Sequence, residues 1–218
     1  MGRPSMPAET IRNNKRLIIS TAKEMIHDNG IHSVTARSIG SRISMNSALI
    51  YRYFRDIDEV VLFACVHALC DYSSEMSSVF HSEDLSDEEL YVLSWKLFSK
   101  HAFKNPEEFH VLFFSKHSAD LPEVIRQYYE LFPEDATDET DNIIRSMLRT
   151  ANLRERNLMV LNPVLEGRTS EDNIMLINDM TISYFYALLI ELSGNDNGVT
   201  PESQTSQMIK AVQFTLSI

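Results

Sequence analysis

Hydroxyl, amide and guanidinium groups crowd the segment 35–54, which reads TARSIGSRISMNSALIYRYF. A guanidinium such as that of Arg52 can donate a pair of hydrogen bonds to the edge of a base. The hydroxyls of Tyr51 and Tyr53 sit on rigid rings and are suited to phosphate oxygens. These residue types, so closely spaced, predict a surface that binds nucleic acid.

Two short helices are needed to position these groups. Residues 35–43 and 47–53 have helical patterns, and residues 44–46 (Ser-Met-Asn) form a tight polar turn between them. Ile39 and Ile43 are expected to pack against the second helix, so that the two helices cross. The layout predicts a helix-turn-helix, whose second helix lies in the major groove of DNA. An ordinary helical hairpin with half-buried tyrosines is the alternative interpretation.

The side chains of this motif have expected roles in DNA binding. Asn46 is placed to cap the second helix, and Leu49 could touch a thymine methyl group. Thr35 and Arg37 lie at the start of the first helix, where they would face the phosphate backbone. The full set of predicted DNA-binding residues is Thr35, Arg37, Asn46, Ser47, Ala48, Leu49, Tyr51, Arg52, Tyr53 and Arg55.

The net charge of −11 conceals an asymmetry. Residues 1–55 carry nine Lys/Arg and three Asp/Glu, a net charge of +6. Residues 56–218 carry eleven Lys/Arg and twenty-eight Asp/Glu, a net charge of −17. A basic region can meet phosphates, whereas an acidic body is repelled by them. We therefore predict a DNA-binding domain at 1–55 and a body at 56–218, with chance and a solvated acidic surface as the alternative.

Capping signals, only six glycines and a scarcity of alternating runs predict an all-α fold. Three helices are expected in the N-terminal domain, and a larger helical body follows. The predicted helices cover about 7–29, 35–43, 47–53, 56–79, 141–161, 171–192 and 201–216, and others begin near Ser86, Pro106 and Asp120.

The motif at 35–54 is similar to the DNA-binding region of the tetracycline-repressor (TetR) family of bacterial transcription regulators. That family typically shows a T-x-x-x-I-A opening, followed by A-G-V-S-x-G-x-L-Y-x-H-F. Thr35 and Ile39 match the opening, and Tyr51 and Phe54 match the closing aromatic residues. The resemblance in motif covers roughly residues 8–62, and the remainder agrees only in its helical plan.

The chain departs from the family pattern at several positions. Ser44 replaces a turn glycine, Ile43 replaces a small alanine, and Tyr53 replaces the usual histidine. Ile57 stands where members usually carry a lysine that approaches a phosphate, and Arg55 is expected to compensate. The basic N-terminus resembles the arms that some members lay along the DNA backbone or minor groove. Its cationic residues are Arg3, Arg12, Lys15 and Arg16.

The resemblance implies a homodimeric regulator, most simply a repressor that a small-molecule effector releases from a palindromic operator. For the effector site we expect Trp95, Phe98, His101, Phe113, His117, Met147 and Tyr184, with Phe109 and Tyr128 in the same group. For the dimer interface we expect Ile177, Phe185, Leu188, Leu189, Leu192, Met208 and Val212, with the alternative that their two helices are simply core. The aromatic residues favour an apolar effector, and the acidic surface favours a cation.

Signals of other functions are weak. The sequence has no HExxH, CxxC, GxSxG or GxGxxG motif, and its histidines at 101, 110 and 117 lack a strong metal spacing. We therefore expect no metal or other cofactor, and an enzyme is a weaker alternative. Cys65 and Cys70 are predicted to be reduced thiols, and the apolar run 184–190 is too short to span a bilayer. These features favour a cytoplasmic protein without a membrane partner, and a helical dimer that has lost operator binding is the alternative.

Overall fold

The computed structural model describes residues 7–80, 85–135, 150, 152–194 and 198–217. Helices dominate these residues and no strand occurs among them, which confirms the all-α prediction. In chain order the helices are α1 (Ala8–Asn29), α2 (Ala36–Arg42), α3 (Ser47–Ile50), α4 (Ile57–Cys65), α5 (His67–Phe80), α6 (Asp87–Lys104), α7 (Pro106–Phe114), α8 (Leu121–Leu131), α9 (Leu153–Leu165), α10 (Glu171–Ser193) and α11 (Pro201–Leu216). Short 3₁₀ turns lie at Ile31–Ser33, Ser118–Asp120 and Pro133–Asp135.

The N-terminal helices α1, α2 and α3 share a core with the helices of the body. Ile18, Ile39 and Ile50 are fully buried, and they belong to the same apolar cluster as the body. α1 packs against α4 as well as α2. The Phe54 and Phe63 rings meet edge to face across this contact, with centroids 5.6 Å apart. The basic N-terminal region and the acidic body therefore share one apolar core. The predicted domain boundary after residue 55 stays a prediction.

The helix α6 forms the centre of the larger helical body. It packs against α5, α7, α9, α10 and α11. Phe98 of α6 lies 5.1 Å from Phe185 of α10 between ring centroids, and Phe185 is fully buried. Such close aromatic packing buries large apolar surfaces, which is the main favourable term in folding.

Side-chain caps fix several helix starts that the sequence predicts. Asn46 accepts a hydrogen bond from a backbone N–H in the first turn of α3 at 2.9 Å, as expected. Asp56 accepts one from the N–H of Glu59 at 2.9 Å and so begins α4. Ser86 and Glu89 form the reciprocal capping box expected at the start of α6. These bonds satisfy N–H groups that have no partner within their own helix.

The helix predicted over 56–79 is interrupted at Val66. The N–H of Val66 bonds to the carbonyl of Phe63, and the N–H of Leu69 bonds to the carbonyl of Val66. These bonds reach three residues back instead of four, which tightens the backbone locally. The structure therefore divides the predicted helix into α4 and α5.

The helix predicted over 141–161 has different limits in the structure. Asn152 has an extended backbone (φ −90°, ψ 123°) and caps α9, which therefore begins at Leu153. Pro163 does not end this helix as predicted, because it lies in the last turn, where its missing N–H removes only one bond. The earlier part of the prediction, 141–149 and 151, lies outside the described residues.

Among the described residues, α10 is the one helix long and apolar enough to cross a membrane by length and composition. Its most apolar window has a mean hydropathy of 1.3 and is 39% buried within the protein. The buried part includes Phe185, Leu188 and Leu189, whose side chains are at most 2% exposed. These residues pack as core of the helical body.

The turn between α2 and α3 combines a strained residue with a crowded one. Ser44 has a φ of 54°, in the left-handed region that the sequence comparison assigns to a glycine. Gly40 lies on the other side of the same turn. A Cβ atom at Gly40 would lie 2.6 Å from the carbonyl oxygen of Met45 and 3.2 Å from the backbone nitrogen of Ser47. The turn is therefore tight enough to require a glycine at one position and to strain a serine at the other.

We expect Ser44→Gly to raise the free energy of unfolding by about 0.5–1 kcal/mol. Relief of the left-handed strain exceeds the extra chain entropy that glycine loses on folding. Gly40→Ala should destabilise by more than about 1 kcal/mol, because the clashing atoms belong to the backbone. Urea unfolding measures both changes. Ser41→Gly, at an exposed position inside α2, is the control and should destabilise the protein by about 0.5–1 kcal/mol. If both serine variants stabilise the protein, the left-handed backbone of Ser44 is not strained.

Candidate functional site

The outer face of α3 presents short and polar side chains around an anchored centre. Ile50 is fully buried and fixes the helix, while Ala48 and Arg52 are exposed. Ser47 and Leu49 are half-buried, so Leu49 is less exposed than predicted. The α-helix ends at Ile50, and bonds that reach three residues back carry the chain to residue 53. The exposed face can meet base edges over a short stretch of groove.

The two tyrosines that follow α3 lie in different environments. Tyr51 is 54% exposed, so its hydroxyl can reach a ligand. The Tyr53 hydroxyl is half-buried and accepts a hydrogen bond from Asn14 Nδ2 at 2.8 Å, which ties it to α1. The predicted phosphate contact of Tyr53 stays a prediction, and its packing also fits a structural role.

The cations of the motif divide into unpaired and paired groups. Among the described residues, Arg37 and Arg52 are exposed and form no ion pair. Thr35 caps α2 by accepting from Ser38 N–H at 3.0 Å. Arg55 instead donates to Glu59 at 3.1 Å and to Asp120 at 2.8 Å. The hydrogen bond to Asp120 raises the pKa of Arg55, and a phosphate would have to displace these carboxylates.

The contact with Arg55 also changes the start of α8. The helix begins beside Asp120, as the sequence predicts, but the Asp120 side chain accepts no hydrogen bond from the helix backbone. Its carboxylate is turned toward Arg55 instead. Asp120 therefore pairs with Arg55, which directly follows the segment 35–54 (the recognition motif), and does not cap α8.

A second contact joins the same two regions through Asp56. Its carboxylate oxygens lie 2.9 and 3.0 Å from His117 Nε2, and Lys116 Nζ lies 3.3 Å from Oδ2. Burial opposes ionisation of Asp56, but hydrogen bonds from His117, the Glu59 N–H and Lys116 outweigh it and lower its pKa to about 2. His117, predicted to bind an effector, thus lies at the junction of the recognition motif and the body.

Two arginines of the helix α1 bind the end of α8. The Arg16 guanidinium donates to the Leu131 carbonyl and pairs with Glu134, and it stacks 4.6 Å from the Phe132 ring centroid. Arg12 donates to the Glu130 carbonyl at 2.9 Å. The resemblance places these cations along DNA, which stays a prediction, and in the structure both contact the end of α8. Arg3 lies outside the described residues.

Three of the predicted effector residues come together in the body. The Phe98 ring lies 5.8 Å from Trp95 and 5.5 Å from Phe113 between centroids. His101 contacts Glu75 through Nε2 at 2.7 Å. Tyr184 is 38% exposed and bonds to Gln207 across α10 and α11, outside this aromatic cluster. Met147 lies outside the described residues.

Two further predicted members of the effector set take other places. Phe109 joins the cluster, with its ring 5.5 Å from Phe98. Tyr128 packs on Phe132 at the end of α8 and donates to Asp135 at 2.6 Å. The aromatic prediction therefore separates into a central cluster and residues at the edges of the body.

A buried guanidinium beside the aromatic cluster was not predicted. Arg156 is 5% exposed and lies 5.0 Å from the Phe113 ring centroid. Its Nε donates to the Thr150 carbonyl at 2.6 Å, but among the residues that the structure describes Nη2 has no hydrogen-bond partner. Burial lowers the pKa of Arg156 to about 10, still above neutral pH. A buried cation without a carboxylate partner is unfavourable unless an anion pairs with it.

A chain of buried amides lies next to this cation. Trp95 Nε1 donates to Asn157 at 2.8 Å, and Asn157 donates to Asn178 at 2.8 Å. Asn178 is fully buried, and its Nδ2 atom has no partner among the described residues. The centre of the body thus combines aromatic walls with unsatisfied polar groups, as small-molecule sites do. The sequence does not reveal this site, because isolated polar residues such as Asn157 and Asn178 also occur on the exposed faces of helices.

Most residues predicted at the dimer interface are core residues of one subunit. Five of them are at most 2% exposed: Phe185, Leu188, Leu189, Met208 and Val212. They are buried because α10 and α11 pack against each other and α11 packs closely along α6. Ile177 and Leu192 are partly buried. The exposed apolar side chains of these helices are different ones: Met175, Leu176, Met180, Tyr184, Tyr186, Ile190 and Phe214.

A groove between α1 and the body offers open space. Its volume is about 690 Å³. Its polar walls include Lys23 and His27 of α1, His67 and Asp71 of α5, and Glu108 of α7. Burial raises the pKa of Glu108. Sequence reasoning missed this groove because its walls come from helices that are distant along the chain.

We expect Asp56→Asn to destabilise the protein at pH 7 by up to about 1 kcal/mol. The amide can still cap α4, but it loses the charge that pairs with His117 and Lys116, and solvent screens part of this pairing. Because the folded pKa is lowered to about 2, the carboxylate contributes stability above its unfolded pKa of about 4. That contribution is lost as pH falls through about 2.

Urea unfolding of both proteins between pH 7 and pH 2 measures this difference. The gap between wild type and Asp56→Asn should narrow as the pH falls. Asp58→Asn, which loses only its contact with Lys116, is the control and should have a smaller effect at pH 7. A gap that widens toward low pH would show that Asp56 does not act as an ion-pair partner.

Comparison with known proteins agrees with this geometry. Residues 18–63 match the model of the bacterial regulatory proteins of the tetR family. The fold is similar to that of Thermus thermophilus FadR, a TetR family transcriptional repressor in complex with lauroyl-CoA, with a TM-score of 0.58 and 11% identity over 91% of this chain and 93% of that chain. It is also similar to a TetR-like transcriptional regulator from Rhodococcus sp. RHA1, with a TM-score of 0.52 and 13% identity over 98% and 99% of the two chains.

No curated protein matches the chain significantly. The match of residues 18–63 covers the helix-turn-helix built by α2 and α3, and the likeness of fold extends over the larger helical body. Residues 18–63 therefore match the helix-turn-helix region of the tetR-family regulatory proteins, and the chain as a whole shares the helical fold of these two regulators.

Proposed function

We propose that the protein is a repressor that binds a palindromic DNA operator as a homodimer and leaves it when a small molecule binds the body. The observation that carries this proposal is the exposed face of α3, which is capped by Asn46 and flanked by the unpaired cations Arg37 and Arg52. Such a helix presents short side chains to base edges while cations meet phosphates.

The distribution of charge supports one orientation on DNA. The basic N-terminal residues 1–55 carry a net charge of +6 and the rest carries −17. Phosphates attract the first region and repel the second, so the body stays away from the duplex.

The exposed apolar residues of α10 and α11 support a dimer. Met180 is 55% exposed and Phe214 is 66% exposed. A two-fold pairing of these faces would bury them and form a four-helix interface. A dimer also suits DNA, because two α3 helices about 34–36 Å apart meet successive major grooves.

The contacts between α1, α4 and α8 supply a route from the body to DNA. Arg55 pairs with Asp120, and Asp56 pairs with His117. Arg16 binds the end of α8. A ligand that favours one position of α8 would therefore favour one orientation of α3. Such coupling requires different ligand affinities for the two arrangements.

The chemistry around Arg156 supports an effector with an acidic group and an apolar part. The acidic group would pair with the unpartnered Nη2 atom, and the apolar part would lie against rings such as Phe113 and Phe98. The Thermus thermophilus FadR structure is a complex with lauroyl-CoA, which is consistent with an effector of this kind.

A helical dimer without operator binding is the second candidate. Two observations favour it: Arg55 is engaged by carboxylates, and Ile57 occupies the position where a lysine would approach phosphate. Such a protein would lack DNA affinity that falls with rising salt concentration.

Selection of the full-length protein on a random DNA pool tests the regulator. We expect enrichment of a two-fold symmetric site at moderate salt. Tyr51→Phe should weaken binding to all sequences by about 2- to 10-fold through one lost phosphate hydrogen bond. Arg52→Gln or Leu49→Ala should change which bases are preferred.

Lys210→Gln, which removes an exposed positive charge from α11, is the matched control for Arg52→Gln and should leave base preference unchanged. Failure to enrich any site, even at low salt, would favour the second candidate. Equal loss across all sequences for Leu49→Ala would refute its assignment to a base contact.

We expect Arg156→Met to raise the Tm of the ligand-free protein. Methionine is of similar length to arginine but carries no charge, so the variant removes a buried charge that has no carboxylate partner among the described residues. We expect the free energy of unfolding to rise by about 1 kcal/mol or more. Dodecanoate, a carboxylate with an apolar chain, should raise the Tm of the wild type but not of Arg156→Met. DNA affinity should be retained in the variant.

Arg156→Lys keeps the buried charge and is the control, which should not raise the Tm. A drop in Tm of several degrees for Arg156→Met would mean that the guanidinium is a structural partner in the folded body. Differential scanning fluorimetry with and without dodecanoate distinguishes these outcomes.

A further inference from the structure

One histidine, one cysteine and one aspartate converge at the contact between α5 and the end of α8. His67 and Cys70 are three residues apart in the first turn of α5, so they lie on one face of the helix. Asp135 ends the 3₁₀ turn that follows α8. One potential ligand atom from each residue lies within 4.8 Å of the others.

The spacing of these atoms approaches that of a tetrahedral metal site. Zinc binds nitrogen and oxygen at about 2.0–2.2 Å and sulfur at about 2.3 Å, so neighbouring ligand atoms are about 3.3–3.7 Å apart. His67 Nδ1 and Asp135 Oδ2 are already 3.6 Å apart. The remaining pairs, within 4.8 Å, require a contraction of at most about 1.5 Å, which side-chain rotation can supply.

The nitrogen that faces the cluster has no hydrogen-bond partner in the described part of the chain. His67 Nδ1 is buried there, although the outer part of the ring is exposed. A neutral imidazole can offer this nitrogen as a lone-pair donor while Nε2 carries the proton. An unpartnered buried nitrogen beside a thiol and a carboxylate is a ligand position that protein groups leave unsatisfied.

Neighbouring tyrosines orient the other two groups. The Tyr128 hydroxyl donates to Asp135 Oδ2 at 2.6 Å, and the Tyr129 hydroxyl lies 3.7 Å from Cys70 Sγ. Hydrogen bonds to ligand groups fix their orientation in established metal sites, and their loss typically lowers metal affinity about 10- to 100-fold. The cluster therefore has the outer support that a metal site requires.

We propose that His67, Cys70 and Asp135 form a binding site for a divalent cation of the zinc class. A nitrogen, a sulfur and an oxygen donor suit Zn²⁺ or Co²⁺, whereas Mg²⁺ and Ca²⁺ require oxygen ligands. Three protein ligands leave one position for water. His67 also lines the groove beside α1, which gives an ion a path from solvent.

The position of the site connects it to the grip of α1 on the body. Asp135 directly follows Glu134, which pairs with Arg16. An ion that draws Asp135 toward α5 would hold the end of α8, and with it the contact that Arg16 makes. The binding itself does not depend on the proposed DNA-binding function, and its test uses no DNA.

The test is a Co²⁺ titration of the untagged, metal-free, full-length protein under reducing conditions. We expect one equivalent to bind, with thiolate-to-cobalt charge-transfer absorption in the near ultraviolet and the visible bands of a tetrahedral ion. Added Zn²⁺ should displace the cobalt and remove the absorption, because zinc binds such a donor set more tightly.

Matched variants identify the ligands. Cys70→Ser should abolish the charge-transfer band, whereas Cys65→Ser should retain it, since Cys65 is a fully buried free thiol outside the cluster. Asp135→Asn and His67→Asn should keep the band at high cobalt but weaken affinity at least about tenfold. Far-ultraviolet circular dichroism confirms that each variant is folded.

Three results would overturn the site. These are no charge-transfer band in the wild type, a band that survives Cys70→Ser, or equal cobalt affinity in Asp135→Asn and the wild type. The cluster would then be a packed thiol beside a tyrosine–aspartate hydrogen bond. Should Cys70→Ser fail to fold, the two other variants decide the question, because His67 and Asp135 are partly exposed whereas Cys70 is buried.

Discussion

The carboxylate of Asp56 joins the recognition motif to the body. It caps α4 and at the same time accepts hydrogen bonds from His117 and Lys116. Because one carboxylate makes both kinds of bond, the start of α4 cannot rotate against the body without losing a cap or an ion pair. Arg55 adds a second tie to the body at Asp120. The orientation of α3 therefore depends on this small set of charges.

The protein tolerates local strain at the places where it is proposed to bind other molecules. Ser44 holds a left-handed backbone in the turn before α3, and Arg156 holds an unpaired charge in the body. Each feature costs stability, and the surrounding core offsets that cost. Strain of this kind is common at functional sites, where geometry suited to a ligand is kept at the expense of the ligand-free fold.

The end of α8 is where the separate features meet. Arg16 of α1 binds there, Tyr128 and Asp135 bond to each other there, and His67 of α5 faces the same turn. This segment carries few residues but contacts both the basic N-terminal helices and the acidic body. A ligand in the groove or at the cluster would therefore lie close to the contact between α1 and the end of α8.

The sequence by itself determined the features that depend on neighbours along the chain. The caps of Asn46 and Asp56, the all-helical fold and the tight turn at Ser44 follow from interactions over three or four residues, and the structure contains them. The candidate DNA-binding face could be predicted for the same reason, since α2 and α3 are consecutive. Contacts such as that of His67 with Asp135 could not, because they join residues far apart in the chain.

Only the tertiary structure decided which side of each body helix is buried. α10 has apolar residues around most of its surface, so the sequence could not separate core positions such as Phe185 from exposed ones such as Met180. The same limit applies to cations: Arg52 and Arg55 look alike in the sequence, yet Asp120 pairs with one of them alone. The packing of helices that are distant along the chain decides which side chains are buried and which charges pair. Patterns over a few neighbouring residues do not predict that packing.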